Sequence, residues 1–126
     1  MPLVEVTLRK GHPPEYIRSV GDAIHEALVA EANVPGDDRF QIFHQLDPQA
    51  IVAHPSYGGV SRTGDLVIVR ITLNAGRTVE IKKKLYAEMA RRLERAADVR
   101  PDDLLVCLVE VTKENWSFGK GLATYA

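Results

Sequence analysis

Hydrophobic and polar residues follow two different periods in the first fifty positions of the chain. Residues 4–9 alternate between apolar and polar side chains, which predicts a strand with two different faces. An apolar stripe at helical spacing then runs through residues 16–32, after prolines that suit the first turn of a helix. A second strand is predicted at 40–44. A strand, a crossover helix and a strand make a βαβ unit, whose two strands lie parallel.

The same pattern recurs without a gap when the sequence is shifted by 65 residues (76 − 11), which places Gly11 on Gly76. The apolar positions of the strand and helix again fall on apolar positions. The matched pairs are Val4 and Val69, Val6 and Ile71, Leu8 and Leu73, Val20 and Leu85, Ile24 and Met89, and Leu28 and Leu93. The chain is therefore predicted to be a single domain, 1–126, built of two βαβ repeats at about 1–60 and 61–126.

Two such units predict an α+β fold, in which one four-stranded mixed sheet carries both helices on one face. The opposite face of the sheet would then be uncovered. Buried apolar area contributes roughly 25 cal/mol per Å² to stability, so an uncovered sheet face favours association. We expect a closed ring of identical subunits rather than a monomer.

The overall charge and the lengths of the apolar runs limit the partners of the chain. Its formal net charge is −1, which gives no reason to expect nucleic acid as a partner. We find neither a leader-like start nor an apolar run near 18 residues, so no membrane partner is expected. A cytoplasmic protein is the resulting prediction.

The cysteine and histidine content argues against disulfides and metals. The single Cys107 fits a reducing compartment, and the apolar run around it predicts a small, buried side chain. The four histidines stand at no metal-ligand spacing, and the sequence shows no glycine-rich phosphate loop. We therefore expect neither a metal site nor a cofactor.

Candidate chemistry begins with Pro2. If the initiator methionine is removed, this residue carries a free secondary amine at the head of the first strand. An α-amino group titrates at about 7.7–8.0, and both burial and a nearby cation lower that pKa. A partly buried Pro2 amine could therefore act as a neutral base, although Met-Pro also begins many proteins without such chemistry.

Comparison of the two repeats separates shared features from features of one half only. Arg77 opens the second predicted helix, where its mate in the first repeat is His12. Backbone N–H groups at a helix start already favour an anion, and a guanidinium adds a planar fork for a carboxylate. A solvated surface arginine is the alternative. Asp38, by contrast, has the mate Asp103, which favours a turn-capping role for both.

The C-terminal tail contains two aromatic residues among glycines, Trp116 and Phe118. They could staple neighbouring subunits together or form the wall of a pocket. The sequence favours neither over the other.

With these elements assembled, the chain resembles the tautomerase superfamily, in particular the fused-repeat branch that includes malonate semialdehyde decarboxylase. The resemblance covers nearly the whole chain. It is carried by Met1-Pro2-Leu3, Val34-Pro35, Asp38-Arg39-Phe40-Gln41-Ile42, Arg62-Thr63, Asp65-Leu66-Val67, Gly76-Arg77-Thr78, Leu85-Tyr86, Pro101 to Leu104, and Trp116-Ser117-Phe118-Gly119.

The resemblance implies a homotrimer and a small carboxylate substrate. It implies that Pro2 is the general base or acid and that Arg77 binds a substrate carboxylate or carbonyl. Asp38 matches an aspartate near the proline amine, and Trp116 and Phe118 match aromatic wall positions.

One departure from the decarboxylase pattern affects the expected reaction. The decarboxylase carries two arginines around a proline where this chain reads Ala75-Gly76-Arg77, so one cation for a developing enolate is missing. We therefore expect keto–enol tautomerisation of an aryl or alkyl 2-oxo acid, with Pro2 as base. The alternatives are decarboxylation, hydration or dehalogenation of a three-carbon acid on the same scaffold, or a non-catalytic trimeric binding module.

Overall fold

A computed structural model describes residues 1–125 of the chain. Four strands and two helices alternate in the predicted order, and short 3-10 turns follow β2, precede β4 and follow β4. The elements are β1 (Pro2–Arg9), α1 (Pro14–Glu31), β2 (Phe40–Leu46), β3 (Val67–Asn74), α2 (Val79–Ala97) and β4 (Leu104–Val111).

The strands form one mixed sheet in the order β2-β1-β3-β4. Each repeat contributes a parallel pair, β1 with β2 and β3 with β4, while the two repeats join through the antiparallel pair β1 and β3. The predicted four-stranded mixed sheet of two βαβ units is confirmed.

The 65-residue repeat is visible in the backbone as well as in the sequence. Gly11 and Gly76 precede the two helices with φ angles of 120° and 127°, a region that favours glycine. Asn33 and Asp98 follow the two helices with φ angles of 57° and 54°. The same turns therefore enter and leave both helices.

Both helices cover the same face of the sheet, as predicted. In β1 every second residue from Pro2 is buried, and β3 repeats this alternation from Val67. These side chains pack against the apolar stripes of α1 and α2 in one core. The principal core residues are Val4, Val6, Leu8, Val20, Ile24, Leu28, Val67, Val69, Ile71, Leu73, Leu85, Met89 and Leu93.

The opposite face of the sheet is open to solvent, and we call it the open face. It includes the exposed apolar side chains Phe40, Ile42 and Leu105, and Ile42 is 44% exposed. Cys107 pairs with Arg70 on this face and is exposed, so the prediction of a buried cysteine was wrong. The apolar run around it made β4 look buried on both sides, whereas the helices cover only one.

One end of this sheet brings the candidate residues together. There β1 and β2 begin while β3 and β4 end, so the N-terminus, the turn before β2, the start of α2 and the C-terminal tail all lie nearby. Neither helix in the described part of the chain combines the length and the apolar character that a bilayer crossing requires.

Candidate active site

The first residue of the chain is buried beside a carboxylate. The amino nitrogen of Met1 lies 3.4 Å from Oδ2 of Asp38, and the two side chains are only 6% and 16% exposed. The amine and the carboxylate therefore form an ion pair that is largely removed from water. Asp38 is thus a neighbour of the N-terminal residue, whatever its repeat mate does.

The sheet register sets what lies on the other side of Met1. Pro2 pairs with Leu73 of β3, so the same register continued by one residue brings Met1 opposite Asn74. In this register Met1 lies between Asp38 on the β2 side and Asn74 on the β3 side. Pro2 follows it as the first residue of β1.

Arg77 is fixed by main-chain carbonyls. Its Nε and Nη2 donate to the carbonyl oxygen of Ala32 at 3.0 and 2.7 Å, and its Nη1 donates to that of Asn74 at 3.1 Å. Ala32 caps the C-terminus of α1, where the helix dipole favours a cation. These bonds use three of the five guanidinium N–H groups. Within residues 1–125 no carboxylate pairs with Arg77, so its charge is available to an anionic ligand.

Asn74, which sequence reasoning missed, joins Arg77 to the tail. Its side-chain Oδ1 accepts a hydrogen bond from the indole N–H of Trp116 at 2.8 Å, while its carbonyl holds Arg77. The Trp116 and Phe118 rings lie 5.9 Å apart, and Phe118 meets Tyr125 edge-on at 4.9 Å. The sequence signal that could have found Asn74 is a polar residue at the end of a strand, at the position that Arg9 occupies in the first repeat.

A cavity of about 290 Å³ opens beside the N-terminus. It brings together two of the predicted residues, Asp38 and Phe118, with Tyr125 as a further wall that the sequence did not predict. Its lining residues are Met1, Asp37, Asp38, Phe40, Phe118 and Tyr125. Pro2, Arg77 and Trp116 do not line it: Pro2 is buried in β1, and the other two are bonded to Asn74.

The corresponding aspartate of the second repeat has a different environment. Asp103 is 1% exposed and accepts hydrogen bonds of 2.6 Å from both the N–H and the hydroxyl of Thr63. Burial alone would raise the pKa of the Asp103 carboxyl, but the Thr63 bonds and the Arg100 guanidinium outweigh it, and the pKa is lowered. Asp103 thus ties the turn before β4 to the segment before β3, while Asp38 faces an amine instead.

His12, the repeat mate of Arg77, lies at the opposite end of the sheet. Its ring stacks on Tyr16 at 3.9 Å, and its Nε2 is 3.7 Å from Asp65. In residues 1–125 no three His, Cys, Asp or Glu side chains gather as metal ligands would.

Two family models, both described as tautomerase enzyme, match the chain, one over residues 38–119 and the other over residues 2–60. The chain therefore belongs to the tautomerase family. It is 37% identical over 123 residues to a protein of Bacillus subtilis (strain 168) named probable tautomerase YusQ, and the match covers 98% of this chain and 97% of YusQ.

Solved structures show the same fold. Malonate semialdehyde decarboxylase, whose structures are described as a basis for decarboxylase and hydratase activities, superposes with a TM-score of 0.92 at 33% identity. That match covers 98% of this chain and 95% of the decarboxylase. A fused 4-OT described as a symmetric trimer matches with a TM-score of 0.79 at 22% identity, covering 98% and 97% of the two chains. The tautomerase fold is thus confirmed, and the sequence resemblance with it.

Proposed function

We propose that this protein is a proline-dependent tautomerase that interconverts the keto and enol forms of a small 2-oxo acid. One observation carries the proposal: Met1 lies in register between Asp38, whose Oδ2 is 3.4 Å from its nitrogen, and Asn74, whose carbonyl holds Arg77. If Met1 is removed, the Pro2 nitrogen becomes a free amine beside the space that Met1 leaves.

Removal of Met1 would also join this space to the cavity that Met1 now lines. The enlarged site would have a carboxylate, a secondary amine and a guanidinium around it, with Phe118 and Tyr125 as an aromatic wall. A three-carbon acid with an aryl or alkyl substituent fits this mixture, since the charged end needs a cation and the substituent needs apolar surface.

Arg77 is suited to hold the carboxylate of such a substrate. Its guanidinium is already fixed in place by the carbonyls of Ala32 and Asn74, so little side-chain freedom is lost on binding. Two N–H groups remain for a carboxylate, which can accept them as a fork. Trp116 supports this arrangement through its bond to Asn74.

The reaction then needs one proton transfer in each direction. The neutral Pro2 nitrogen takes a proton from the carbon next to the 2-oxo group, and the electrons of that C–H bond move to the carbonyl oxygen as an enolate. Arg77 and the protonated amine stabilise the enolate charge. Return of the proton to oxygen gives the enol, and return to carbon gives the keto acid. A positioned base of this kind contributes about 10²–10⁴ in rate.

A second reaction on the same site has one observation in its favour. Asp38 lies against the N-terminal amine, where it stabilises the protonated form, and hydration or decarboxylation of a three-carbon acid would use a protonated amine. The likeness to malonate semialdehyde decarboxylase points the same way. Dehalogenation would need the same amine. The absence of a second arginine at Ala75-Gly76-Arg77 makes this the weaker candidate.

A homotrimer is part of the proposal. The open face has apolar residues on both edge strands, such as Phe40, Ile42 and Leu105, and their burial between subunits would stabilise a closed ring. The fused 4-OT of the same fold is described as a trimer.

A substrate panel tests the proposal directly. Protein whose intact mass shows loss of Met1 is assayed against an enol 2-oxo acid, phenylenolpyruvate, and against acetylenic and haloacrylate acids. Enol turnover that exceeds turnover of the other acids supports the tautomerase. Turnover of acetylenic or haloacrylate acids alone favours the hydratase or dehalogenase, and turnover of none leaves a binding module.

A further inference from the structure

The turn that carries Asp38 is held from the side of α1, by a buried histidine. The ring Nε2 of His25 lies 2.8 Å from the carbonyl oxygen of Gly36, two residues before Asp38. A carbonyl oxygen only accepts, so His25 donates through Nε2–H. The N–H of Asp38 in turn donates to the carbonyl of Pro35 at 3.1 Å, which closes the turn.

The start of β2 is tied to the same helix. The side-chain amide of Gln41 donates to the carbonyl of Gly21 at 2.8 Å, and Arg39 forms an ion pair with Asp22 at 2.8 Å. A Cβ on Gly21 would lie 2.7 Å from Gln41 Oε1, so a larger residue there would displace the Gln41 side chain. The turn is therefore held on both sides of Asp38 without a bond to its carboxylate.

The second repeat shows what this arrangement replaces. The residues that hold the first turn against α1 are Gly21, Asp22, His25, Gly36, Arg39 and Gln41. Each has an apolar, aromatic or small residue 65 positions later, and these six mates line an open groove of about 370 Å³. The mates are Tyr86, Ala87, Ala90, Pro101, Leu104 and Val106. The second turn is fixed instead through the carboxylate of Asp103, which the segment connecting the repeats reaches with Thr63.

In the part of the chain that the structure describes, the carboxylate of Asp38 receives no such bond from a connecting segment and instead lies 3.4 Å from the Met1 nitrogen. An aspartate fixed through both carboxylate oxygens would have fewer lone pairs left for an amine or a substrate. Holding the turn through Gly36 leaves the carboxylate of Asp38 beside the cavity, with Oδ2 3.4 Å from the Met1 nitrogen.

We propose that His25 is a positioning residue for Asp38, which it holds against the N-terminal amine through the carbonyl of Gly36. This inference rests on the proposed function, because the contact between Asp38 and the amine affects catalysis only if that amine is the base. Nothing in the reaction requires His25 to touch substrate, and its ring lies on the far side of the turn, next to Glu26 and Arg92.

The test compares His25→Leu with His25→Gln. Glutamine places an amide nitrogen the same number of bonds from Cβ as Nε2, so it can still donate to Gly36, whereas leucine cannot. Should His25→Leu fail to fold, His25→Asn takes its place, because its amide is one carbon too short. Glu26→Gln is the matched control, since it disturbs the neighbouring Arg92 ion pair and leaves the turn alone.

Two readouts are measured on protein that has lost Met1. Nitrogen NMR titration gives the pKa of the Pro2 amine, with Asp38→Asn as the reference for complete loss of the carboxylate. We expect His25→Leu to lower this pKa by at least half of the Asp38→Asn change, and His25→Gln by less than a quarter. In kinetics we expect kcat to fall in His25→Leu with KM nearly unchanged, and His25→Gln to restore it.

The outcomes separate the inference from the function it rests on. An amine pKa that moves in Asp38→Asn but stays at the wild-type value in His25→Leu overturns the positioning role alone. An amine pKa that stays at the wild-type value in both variants overturns the role of Asp38 and that of His25. Wild-type protein without turnover overturns the function, while the titration still decides whether His25 positions Asp38.

Discussion

Asp38 and Asp103 occupy the same position in the two repeats, yet one carboxylate faces an amine and the other faces a threonine. Asp38 lies 3.4 Å from the Met1 nitrogen, while Asp103 receives two bonds from Thr63 at 2.6 Å each. A shared position thus gave a residue that ties two segments together in one half and a candidate catalytic residue in the other. The difference follows from the partner that each carboxylate meets, Thr63 in one case and the amine in the other.

We expect Asp38→Asn to shift the pH dependence of kcat/KM. Under the proposal, the Pro2 amine of the processed chain lies near the Asp38 carboxylate, and an opposite charge within about 4–6 Å moves a pKa by about 1 unit or more. Its loss lowers the amine pKa, so the acidic limb of the profile moves to lower pH by about 1 unit. Asp37→Asn, at the exposed neighbour in the same cavity, should leave the limb in place. A limb unmoved by Asp38→Asn would remove Asp38 from the site.

Arg77→Ala should reduce both activity and stability. Loss of the fixed cation should lower kcat/KM by about 10²–10³, the effect of removing one strong donor at a developing oxyanion. It also leaves the Ala32 and Asn74 carbonyls unpaired, so we expect the free energy of unfolding to fall by about 1–3 kcal/mol in urea titration.

Two further arginine variants serve as comparisons. Arg77→Lys keeps the charge but not the fork, and should lie between Arg77→Ala and the wild type. Arg95→Ala, at the exposed far end of α2, should change neither quantity. Wild-type turnover in Arg77→Ala would contradict the proposed carboxylate site.

Asp103→Asn should change how stability depends on pH. Because the folded pKa of Asp103 lies below that of the unfolded chain, about 3.9, its stabilisation is complete above that value and is lost as pH falls through the folded pKa. The variant should be less stable by about 1.5–3 kcal/mol at pH 7, and this difference should shrink below pH 4.

Thermal and urea unfolding at pH 7, 5 and 3 measure this difference. Asp102→Asn is the control, because that carboxylate is more exposed and accepts a single bond from Ser61. A stability difference that stayed constant down to pH 3 would show that the Asp103 charge does not contribute.

Ile42→Lys should prevent trimer formation. Ile42 lies on the open face at 44% exposure, and a lysine there would bury a charge between subunits. Sedimentation should give 42 kDa (3 × 14.0 kDa) for the wild type and a smaller species for the variant. Val29→Lys is matched in exposure, at 41%, but lies on α1, so its mass should stay at the wild-type value. A trimeric Ile42→Lys would place the interface elsewhere.

The sequence predicted the layers of this fold well, because hydrophobic period reports which face of an element is covered. The strand at Val4–Leu8 and its mate 65 residues later came from alternation alone, and the structure confirms both. Cys107 was placed wrongly since a continuous apolar run cannot say whether a second layer exists. The apolar run around Cys107 lies in β4, and one side of β4 belongs to the open face of the sheet.

Side-chain contacts across the fold could not be predicted in the same way. The bond from Trp116 to Asn74 spans 42 residues and the tie from His25 to Gly36 depends on how a turn folds back on its helix. Neither leaves a periodic signal. Comparison of the repeats did identify Arg77 as a feature of one half, but it assigned Asp38 the role of its mate.

A blocked N-terminus tests most directly whether a free Pro2 amine is the catalytic base. Phenylenolpyruvate turnover is measured for protein with Pro2 exposed and for the same chain with a short N-terminal extension, which keeps that nitrogen as an amide. Both forms are first matched by intact mass, circular dichroism and oligomeric mass. The account predicts a loss of kcat/KM of at least about 10², the contribution of a positioned base. Equal turnover in the two forms would contradict it.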